Sequence, residues 1–191
     1  MPEIQSVLKV QDEFVEHFAI HTPYQGKEDE IAHFESKETK GWNGHKDPVY
    51  ASMIKSLDRS VGDILNKIKE LDIEENTLVV FMSDNGGIDA EITPNDKGTD
   101  NAPFLGGKAC VTEGGIRVPL VFKWKGKVQE GKWVDVPVDC TDIYPSLLDA
   151  AGYNSKEIVA RNDLDGESLI PVLSDLENET VHKHITIIML K

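Results

Sequence analysis

Apolar residues recur at helical spacing between residues 47 and 71. Steps of three and four residues place them on one stripe of an amphipathic helix. Asp47 is suited to the N-cap of this helix, and Pro48 suits its first turn. The pattern predicts a helix from about Pro48 to Leu71, whose apolar stripe consists of Val49, Met53, Leu57, Val61, Ile64 and Ile68.

A nearly continuous apolar run, "TLVVFM", follows this helix after a short turn. Shorter runs of the same kind occupy residues 18–20 and 120–122. A long amphipathic helix that leads into a continuous apolar strand is typical of α/β folds, in which parallel strands are buried on both faces. We therefore expect strands at residues 18–20, 78–82 and 120–122 in one mainly parallel sheet, with the helical stripe packed on it.

Several shorter patterns complete the predicted elements. The segment "DCTDIYPSLLDAAGY" favours a helix that is capped by Thr141 or Asp142 and ended by Gly152. A turn is expected at Lys125 and Gly126. Helical turns are expected near residues 28–34 and after the loop in "DLDGESLIPVLSD". Residues 5–17 are expected to contain the end of a helix.

The net charge of the chain argues against some classes of binding partner. The chain has 191 residues, enough for one domain with a core, and a net charge of −14. This charge argues against nucleic acid or an anionic membrane surface as a partner, because its field repels both. No apolar run reaches the roughly 18–20 residues of a membrane span, and the start shows no signal-peptide pattern. An anionic substrate would need a metal ion or local cations to overcome this background.

Asp84 and Asn85 follow the apolar run directly and precede two glycines, in "SDNGG". Ligands of open α/β sheets bind beyond the carboxyl ends of the strands. Carboxylate and amide oxygens are hard ligands that suit Ca²⁺ or Mg²⁺ rather than Zn²⁺. The same residues also fit an ordinary Asx turn after a strand. Two oxygens, moreover, are fewer than the about six to eight that Ca²⁺ takes.

Lys108 and His21 are the other candidate site residues. Lys108 lies between glycine pairs in "LGGKACVTEGGI", where it is a plausible anchor for a sulfate or phosphate oxygen, or else a solvated surface lysine. His21 precedes Thr-Pro and is suited to a ligand, an acid, an anion-binding donor or a purely structural role. The two cysteines, Cys110 and Cys140, stand in unrelated contexts, and we interpret them as small, partly buried thiols.

Three stretches together carry a family resemblance: "YASMIKSLDRSVGDILNKIKELDIEENTLVVFMSDNGG", "NAPFLGGKACVTEGGIRVPLVFKWKGKV" and "DVPVDCTDIYPSLLDAAG". They resemble the sulfatases, arylsulfatase-like members of the alkaline-phosphatase-like superfamily. The resemblance covers about residues 17–173 and leaves 174–191 as an atypical tail. It implies part of an α/β/α sandwich with a mainly parallel or mixed sheet.

The resemblance also assigns roles to the candidate residues. It implies that Asp84 and Asn85 complete a divalent-metal site, usually Ca²⁺ with Mg²⁺ as the alternative. It implies that Lys108 contacts the sulfate and that His21 lies against the sulfate ester. The substrate would be a sulfate-ester small molecule or a sulfated glycan, and the metal with Lys108 and His21 would supply the local positive field.

One departure from the family concerns the nucleophile. The family uses a formylglycine made within a Cys/Ser-x-Pro-x-Arg motif, and the 191 residues contain no such motif. The family's early pair of aspartate ligands is also absent. We interpret the chain as the middle-to-late part of a sulfatase catalytic domain. We expect it to be inactive alone, to bind metal weakly, and to expose apolar surface that favours self-association.

Two alternatives stay open on the sequence. A phosphonate or phosphate monoester hydrolase of the same superfamily would present the same residues to a tetrahedral anion. A non-catalytic remnant, which at most binds an ion or a partner, would also lack the nucleophile.

Overall fold

The computed structural model describes residues 13–38, 41, 45–89 and 99–174. They fall into two units, one of residues 18–132 and one of residues 13–17 with 133–174. The predictions for residues 5–12 and for the tail beyond Ser174 lie outside this range. No helix within it is long and apolar enough to cross a membrane.

Two helices open the unit of residues 18–132: α1, Glu28–Glu35, and α2, Pro48–Glu70. The carboxylate of Asp47 accepts a hydrogen bond from the Tyr50 backbone at 2.9 Å, which confirms the predicted cap and start of α2. Helix α2 packs against α1. Met53 of the stripe is buried, but Ile64 is 38% exposed. Contact between the stripe and the sheet therefore stays a prediction.

A buried carboxylate joins the two helices. Glu30 of α1 pairs with Arg59 of α2 and accepts a hydrogen bond from Ser52 Oγ at 3.0 Å. Ser52 Oγ in turn accepts from the Lys27 backbone N–H at 3.0 Å, one of the donors that a helix start leaves without a partner. The contact between α1 and α2 therefore contains a buried polar connection.

The strands differ from expectation in direction. Strand β1, Val79–Met82, pairs with β2, Leu120–Lys123, in an antiparallel ladder that sets Val79 opposite Lys123 and Met82 opposite Leu120. The positions of both strands are confirmed, but the prediction of a parallel arrangement is wrong for this pair. A continuous apolar run is typical of strands buried on both faces, as parallel strands usually are, but it does not determine the direction of a particular pair.

The strand expected at residues 18–20 is wrong. His21 N–H donates to the carbonyl oxygen of Phe18 at 3.1 Å, which closes a turn instead of leaving the segment extended. Three apolar residues are too few to specify a strand, and Pro23 has no N–H to continue a ladder.

Polar contacts hold the end of β2 to the α2–β1 connection, which contains a 3₁₀ turn, Glu74–Asn76. Glu74 pairs with Lys123 at 3.4 Å and Lys125 at 3.2 Å. The hydrogen bond from Lys125 lowers the pKa of Glu74. The turn predicted at Lys125 and Gly126 is confirmed, since Gly126 has a φ of +74° and the Lys127 N–H donates to the Trp124 carbonyl. A four-residue helix, α3, Glu113–Ile116, precedes β2.

The other unit is helical: a 3₁₀ turn, Cys140–Asp142, leads into α4, Ile143–Ala150, and is followed by α5, Ser155–Asn162, and α6, Ile170–Ser174. The predicted helix and its end at Gly152, φ +83°, are confirmed, and α6 matches the predicted short turn. The capping side chain is Asp139, which accepts from Thr141 N–H at 2.9 Å. Asp142 is fully buried and instead accepts from the backbone of Asp139 and Glu167, which ties the start of α4 to the loop before α6.

Large apolar side chains are exposed in both units. Those that are 72–95% exposed are Phe14, Phe18, Leu105 and Trp133. Apolar surface of this kind is what self-association requires. Self-association itself stays a prediction.

The Glu30 network predicts acid lability. Burial alone would raise the pKa of Glu30, but hydrogen bonds from Arg59 and Ser52 and the charges of Arg59 and Lys55 outweigh it and hold the pKa below its usual range. A carboxyl whose folded pKa is lowered stabilises the protein above its unfolded pKa, about 4.3, and that stability is lost as pH falls through the folded value. We expect Glu30→Gln to lower the free energy of unfolding at pH 7 and to make it less dependent on pH in the acid range.

Urea unfolding at pH 7 and at pH 3 measures both effects. Glu70→Gln is the matched control, because Glu70 pairs with Lys67 on the exposed face of the same helix pair. Equal losses of stability in the two variants at pH 7 would contradict a special role for Glu30.

Candidate functional site

The turn that follows β1, residues 84–87, is held by its own hydrogen bonds. Ser83 Oγ donates to the Asn85 carbonyl and Asn85 Nδ2 donates to the Gly86 carbonyl, each at 2.9 Å. Asp84 is exposed and Asn85 is half-buried. The Asn85 amide therefore directs its nitrogen to the backbone, and the carboxylate of Asp84 stays accessible to a ligand.

Three glycine pairs, one of which belongs to this turn, pack with their backbones in direct contact. The Gly86 N–H donates to the Gly115 carbonyl at 2.9 Å, and a Cβ placed on Gly86 would lie 1.8 Å from the Gly114 carbonyl oxygen. A Cβ on Gly114 would lie 2.0 Å from the carbonyl oxygen of Gly106. No side chain fits in these gaps. The pairs that meet in this way are 86–87, 106–107 and 114–115.

Lys108 is anchored to the same glycines through its backbone. Its N–H donates to the Gly87 carbonyl at 2.9 Å. The Cys110 N–H donates to the Gly107 carbonyl at 2.9 Å, which closes a turn around Lys108. Ala109 occupies the left-handed region in this turn, with φ +71°. Only glycine adopts that region without cost, so the loop of residues 106–110 stores some backbone strain beside the candidate site.

His21 and Lys108 meet although they are 87 residues apart in sequence. Lys108 Nζ lies 3.1 Å from His21 Nε2, and His21 Nδ1 lies 2.8 Å from the Thr22 carbonyl oxygen. A carbonyl only accepts, so Nδ1 carries the ring proton and Nε2 accepts from the lysine ammonium. An ammonium has three N–H donors, and His21 takes one of them. The pair is therefore a cationic group at the protein surface, with hydrogen-bond donors for an anion.

The geometry of the two metal-ligand candidates is incomplete. Within the described part of the chain, Asp84 and Asn85 make no hydrogen bond or ion pair with Lys108 or His21. Among the same residues, no group of three or more His, Cys, Asp or Glu side chains is arranged to hold a metal ion. The 84–87 turn and Lys108 are connected through Gly87, and the role of the turn as a metal site stays a prediction.

Asn101 was not found by sequence reasoning. Its Nδ2 donates to the Gly87 carbonyl at 2.9 Å and to the Gly106 carbonyl at 3.1 Å. An asparagine in a polar loop gives no periodic signal, so nothing in the sequence marks this contact. Glu113 and Arg117 form an ion pair of 3.1 Å, and the Arg117 guanidinium also lies 4.7 Å from the centre of the Phe104 ring.

Cys140 does not have the environment of an activated nucleophile. Both are free thiols, Cys110 half-buried and Cys140 exposed, which corrects the expectation of partial burial for the second. Although the residue is exposed overall, desolvation of the sulfur by neighbouring atoms, followed by the charge of the Asp139 carboxylate, raises the pKa of the Cys140 thiol. Reactive cysteines have a lowered pKa, because the thiolate is the nucleophile.

Comparison with known proteins gives the family. The sulfatase family model matches residues 6–153. The chain belongs to the sulfatase family. Human steryl-sulfatase is 35% identical over 154 residues, which cover 80% of this chain and 26% of that protein. N-acetylgalactosamine-6-sulfatase of Canis lupus familiaris is 35% identical over 126 residues, which cover 65% of this chain and 23% of that protein.

A solved structure agrees with these relatives. The crystal structure of Ps i-CgsB in complex with k-i-k-neocarrahexaose matches with a TM-score of 0.69 and 36% identity, over 85% of this chain and 33% of that one. The chain thus spans about a quarter to a third of the length of these three proteins. The predicted family is confirmed, and the chain shares the fold of this solved structure.

The close contacts between the glycine backbones predict that a larger residue at Gly86 destabilises the protein. Gly86→Ala would place a methyl group 1.8 Å from a backbone oxygen that no side-chain rotation can move. We expect a loss of about 1–3 kcal/mol or more in the free energy of unfolding, as for other overpacked sites.

Gly62→Ala is the matched control, because a Cβ at Gly62, inside α2, meets nothing within 4 Å. That change should stabilise the protein by about 0.8–1 kcal/mol through helix propensity. Chemical denaturation measures both variants, and a Gly86→Ala protein as stable as the wild type would show that the glycine pairs are not in contact.

Proposed function

We propose that this chain forms the anion-binding part of a sulfatase active site, in an α/β/α sandwich of which the described elements are a portion. The observation that supports it is the 3.1 Å contact between Lys108 Nζ and His21 Nε2. These are the two residues that the family resemblance assigns to the sulfate group. Matches to sulfatases over most of the chain support the same reading.

In this proposal, Lys108 is the charge that binds the sulfate oxygens. Its backbone is anchored to Gly87, so the ammonium extends from a fixed point towards His21. Hydrogen bonds to a charged partner are short and about twice as strong as neutral ones. They also strengthen where charge develops on the ester oxygens during the reaction. This local cation offsets the −14 net charge of the chain at the point where the anion binds.

His21 orients the lysine and contacts the ester. The ring proton on Nδ1 is held by the Thr22 carbonyl, which fixes the imidazole plane. Nε2 then faces Lys108 and any anion that the lysine binds. While Nε2 accepts from Lys108 it has no proton to donate. Protonation of Nε2, with loss of that hydrogen bond, would allow His21 to donate to the leaving oxygen of a sulfate ester.

Asp84 and Asn85 are proposed as two ligands of a divalent cation, Ca²⁺ with Mg²⁺ as the alternative. Their donor set, an accessible carboxylate and an amide, fits the preference of these hard ions for oxygen. A bound cation would supply positive charge beside the sulfate oxygens. Other oxygen ligands would have to complete the site, since Ca²⁺ takes about six to eight.

The substrate class that we propose is sulfate esters of organic alcohols. The relatives are named for a steryl sulfate and for an N-acetylgalactosamine 6-sulfate, and the matched crystal structure contains a neocarrahexaose. Sulfated glycans and sulfated small molecules are both represented among these names. A nucleophile is also required for turnover, and the 191 residues contain no Cys/Ser-x-Pro-x-Arg motif.

Titration of the 191-residue chain with inorganic sulfate, followed by NMR with Ca²⁺ present, tests the proposal. We expect saturable shifts of the His21 ring and of the Lys108 resonances. Lys108→Ala should weaken binding about 10- to 100-fold, because one hydrogen bond to a charged group is worth about 1.5–3 kcal/mol.

Lys127→Ala is the control, since Lys127 is an exposed lysine of the same unit. It should leave the affinity unchanged. Equal affinities of the wild type and the Lys108→Ala variant would refute the assignment of Lys108. A parallel titration with phosphate separates a sulfate site from a general tetrahedral-anion site.

A further inference from the structure

Asn101 connects the two loops that carry the candidate site. Its side-chain nitrogen lies 2.9 Å from the Gly87 carbonyl oxygen and 3.1 Å from the Gly106 carbonyl oxygen. Gly87 ends the 84–87 turn, which holds the proposed metal ligands, and Gly106 begins the 106–110 loop, which holds Lys108. One half-buried side chain therefore bridges two segments that are also connected by the hydrogen bond from the Lys108 N–H to the Gly87 carbonyl.

The orientation of the Asn101 amide follows from its partners. Both are backbone carbonyls, which accept hydrogen bonds and cannot donate. The opposite orientation would place the amide oxygen against two carbonyl oxygens, so the NH₂ group must face them. That group has two hydrogens, and each carbonyl receives one.

The Gly87 carbonyl also receives the backbone N–H of Lys108, at 2.9 Å. Asn101 is thus hydrogen-bonded to Gly106, in the glycine pair immediately before Lys108, and to the Gly87 carbonyl oxygen, which also accepts from the Lys108 backbone. A lysine side chain is long and flexible, so the position of its backbone determines which region its ammonium can reach.

We infer that Asn101 is a positioning residue, which holds Lys108 at a fixed distance from the 84–87 turn and so sets its affinity for the anion. The inference rests on the proposed role of Lys108 in sulfate binding. In the described structure Asn101 makes its side-chain hydrogen bonds to the two glycine carbonyls and not to the side chains of Lys108 or His21, and it acts through those carbonyls.

Asn101→Asp in the full chain is the direct test, because it keeps the shape of the side chain and removes both donors. The introduced carboxylate would face two carbonyl oxygens and repel them. We expect the affinity for inorganic sulfate at pH 7, with Ca²⁺ present, to fall at least about tenfold, the usual effect of losing an interaction worth 1.4 kcal/mol. The amide proton resonance of Lys108, which reports its bond to Gly87, should move as well.

The pH dependence separates positioning from a general loss of structure. An aspartic acid regains a proton near pH 4, and a protonated carboxyl can again donate to one carbonyl. The affinity of Asn101→Asp relative to the wild type at the same pH should therefore recover as pH falls, and the Lys108 amide resonance should return with it. Asn101→Ala, which introduces no titratable group, should show a weakened affinity with no such recovery, and it serves as the second variant if Asn101→Asp does not fold.

Asn162→Asp is the matched control. Asn162 Nδ2 donates to the Ile158 carbonyl at 2.7 Å within α5, in the other unit. This change removes the same kind of hydrogen bond, and it should alter neither the sulfate affinity nor the Lys108 amide resonance.

Two results would overturn the inference: a sulfate affinity of Asn101→Asp within twofold of the wild type at pH 7, or an unchanged Lys108 amide resonance. If the wild type itself binds no sulfate, the proposed function fails, and the resonance alone decides whether Asn101 positions Lys108. A displaced resonance that returns at low pH supports that role, and an unchanged resonance refutes it.

Discussion

Direct contact between the backbones of three glycine pairs is the constraint on which the candidate site depends. A methyl group at Gly86 or Gly114 would lie 1.8–2.0 Å from a backbone oxygen. Since the backbone cannot withdraw without breaking the hydrogen bonds to Gly115 and Leu105, only glycine allows the 84–87 turn and the 106–110 loop to approach. That approach is what connects the proposed metal ligands to Lys108.

The same constraint explains how a strongly acidic chain can present a cation at one place. The backbone of Lys108 is hydrogen-bonded to the Gly87 carbonyl, and its ammonium is hydrogen-bonded to the imidazole of His21. Neither contact depends on the distant charges that make up the net −14. Salt screens those distant charges over about 8–10 Å, whereas a hydrogen-bonded anion at Lys108 is held at contact distance. In the proposed site, local geometry would therefore decide the affinity for an anion.

Sequence patterns predicted α2 well because a 23-residue amphipathic stripe, an Asp47 cap and an N-terminal proline all agree. They predicted the positions of β1 and β2 but not their antiparallel direction, which is set by contacts between segments far apart in the chain. The strand expected at residues 18–20 was wrong, because a local turn competed with it. For the site, motif resemblance selected Lys108 and His21, whereas Asn101 could not be found, since its two acceptors are brought together only by folding.

Native-state hydrogen exchange tests the central claim most directly. Where the three glycine pairs meet, the amides of Gly86, Lys108 and Gly114 donate to the carbonyl oxygens of Gly115, Gly87 and Leu105, in that order. If the three glycine pairs form one packed unit, these amides exchange slowly and with the same opening free energy. The amide of Gly131, in an exposed turn, provides the fast reference. Exchange of Gly86 or Lys108 as fast as that of Gly131 would contradict the account.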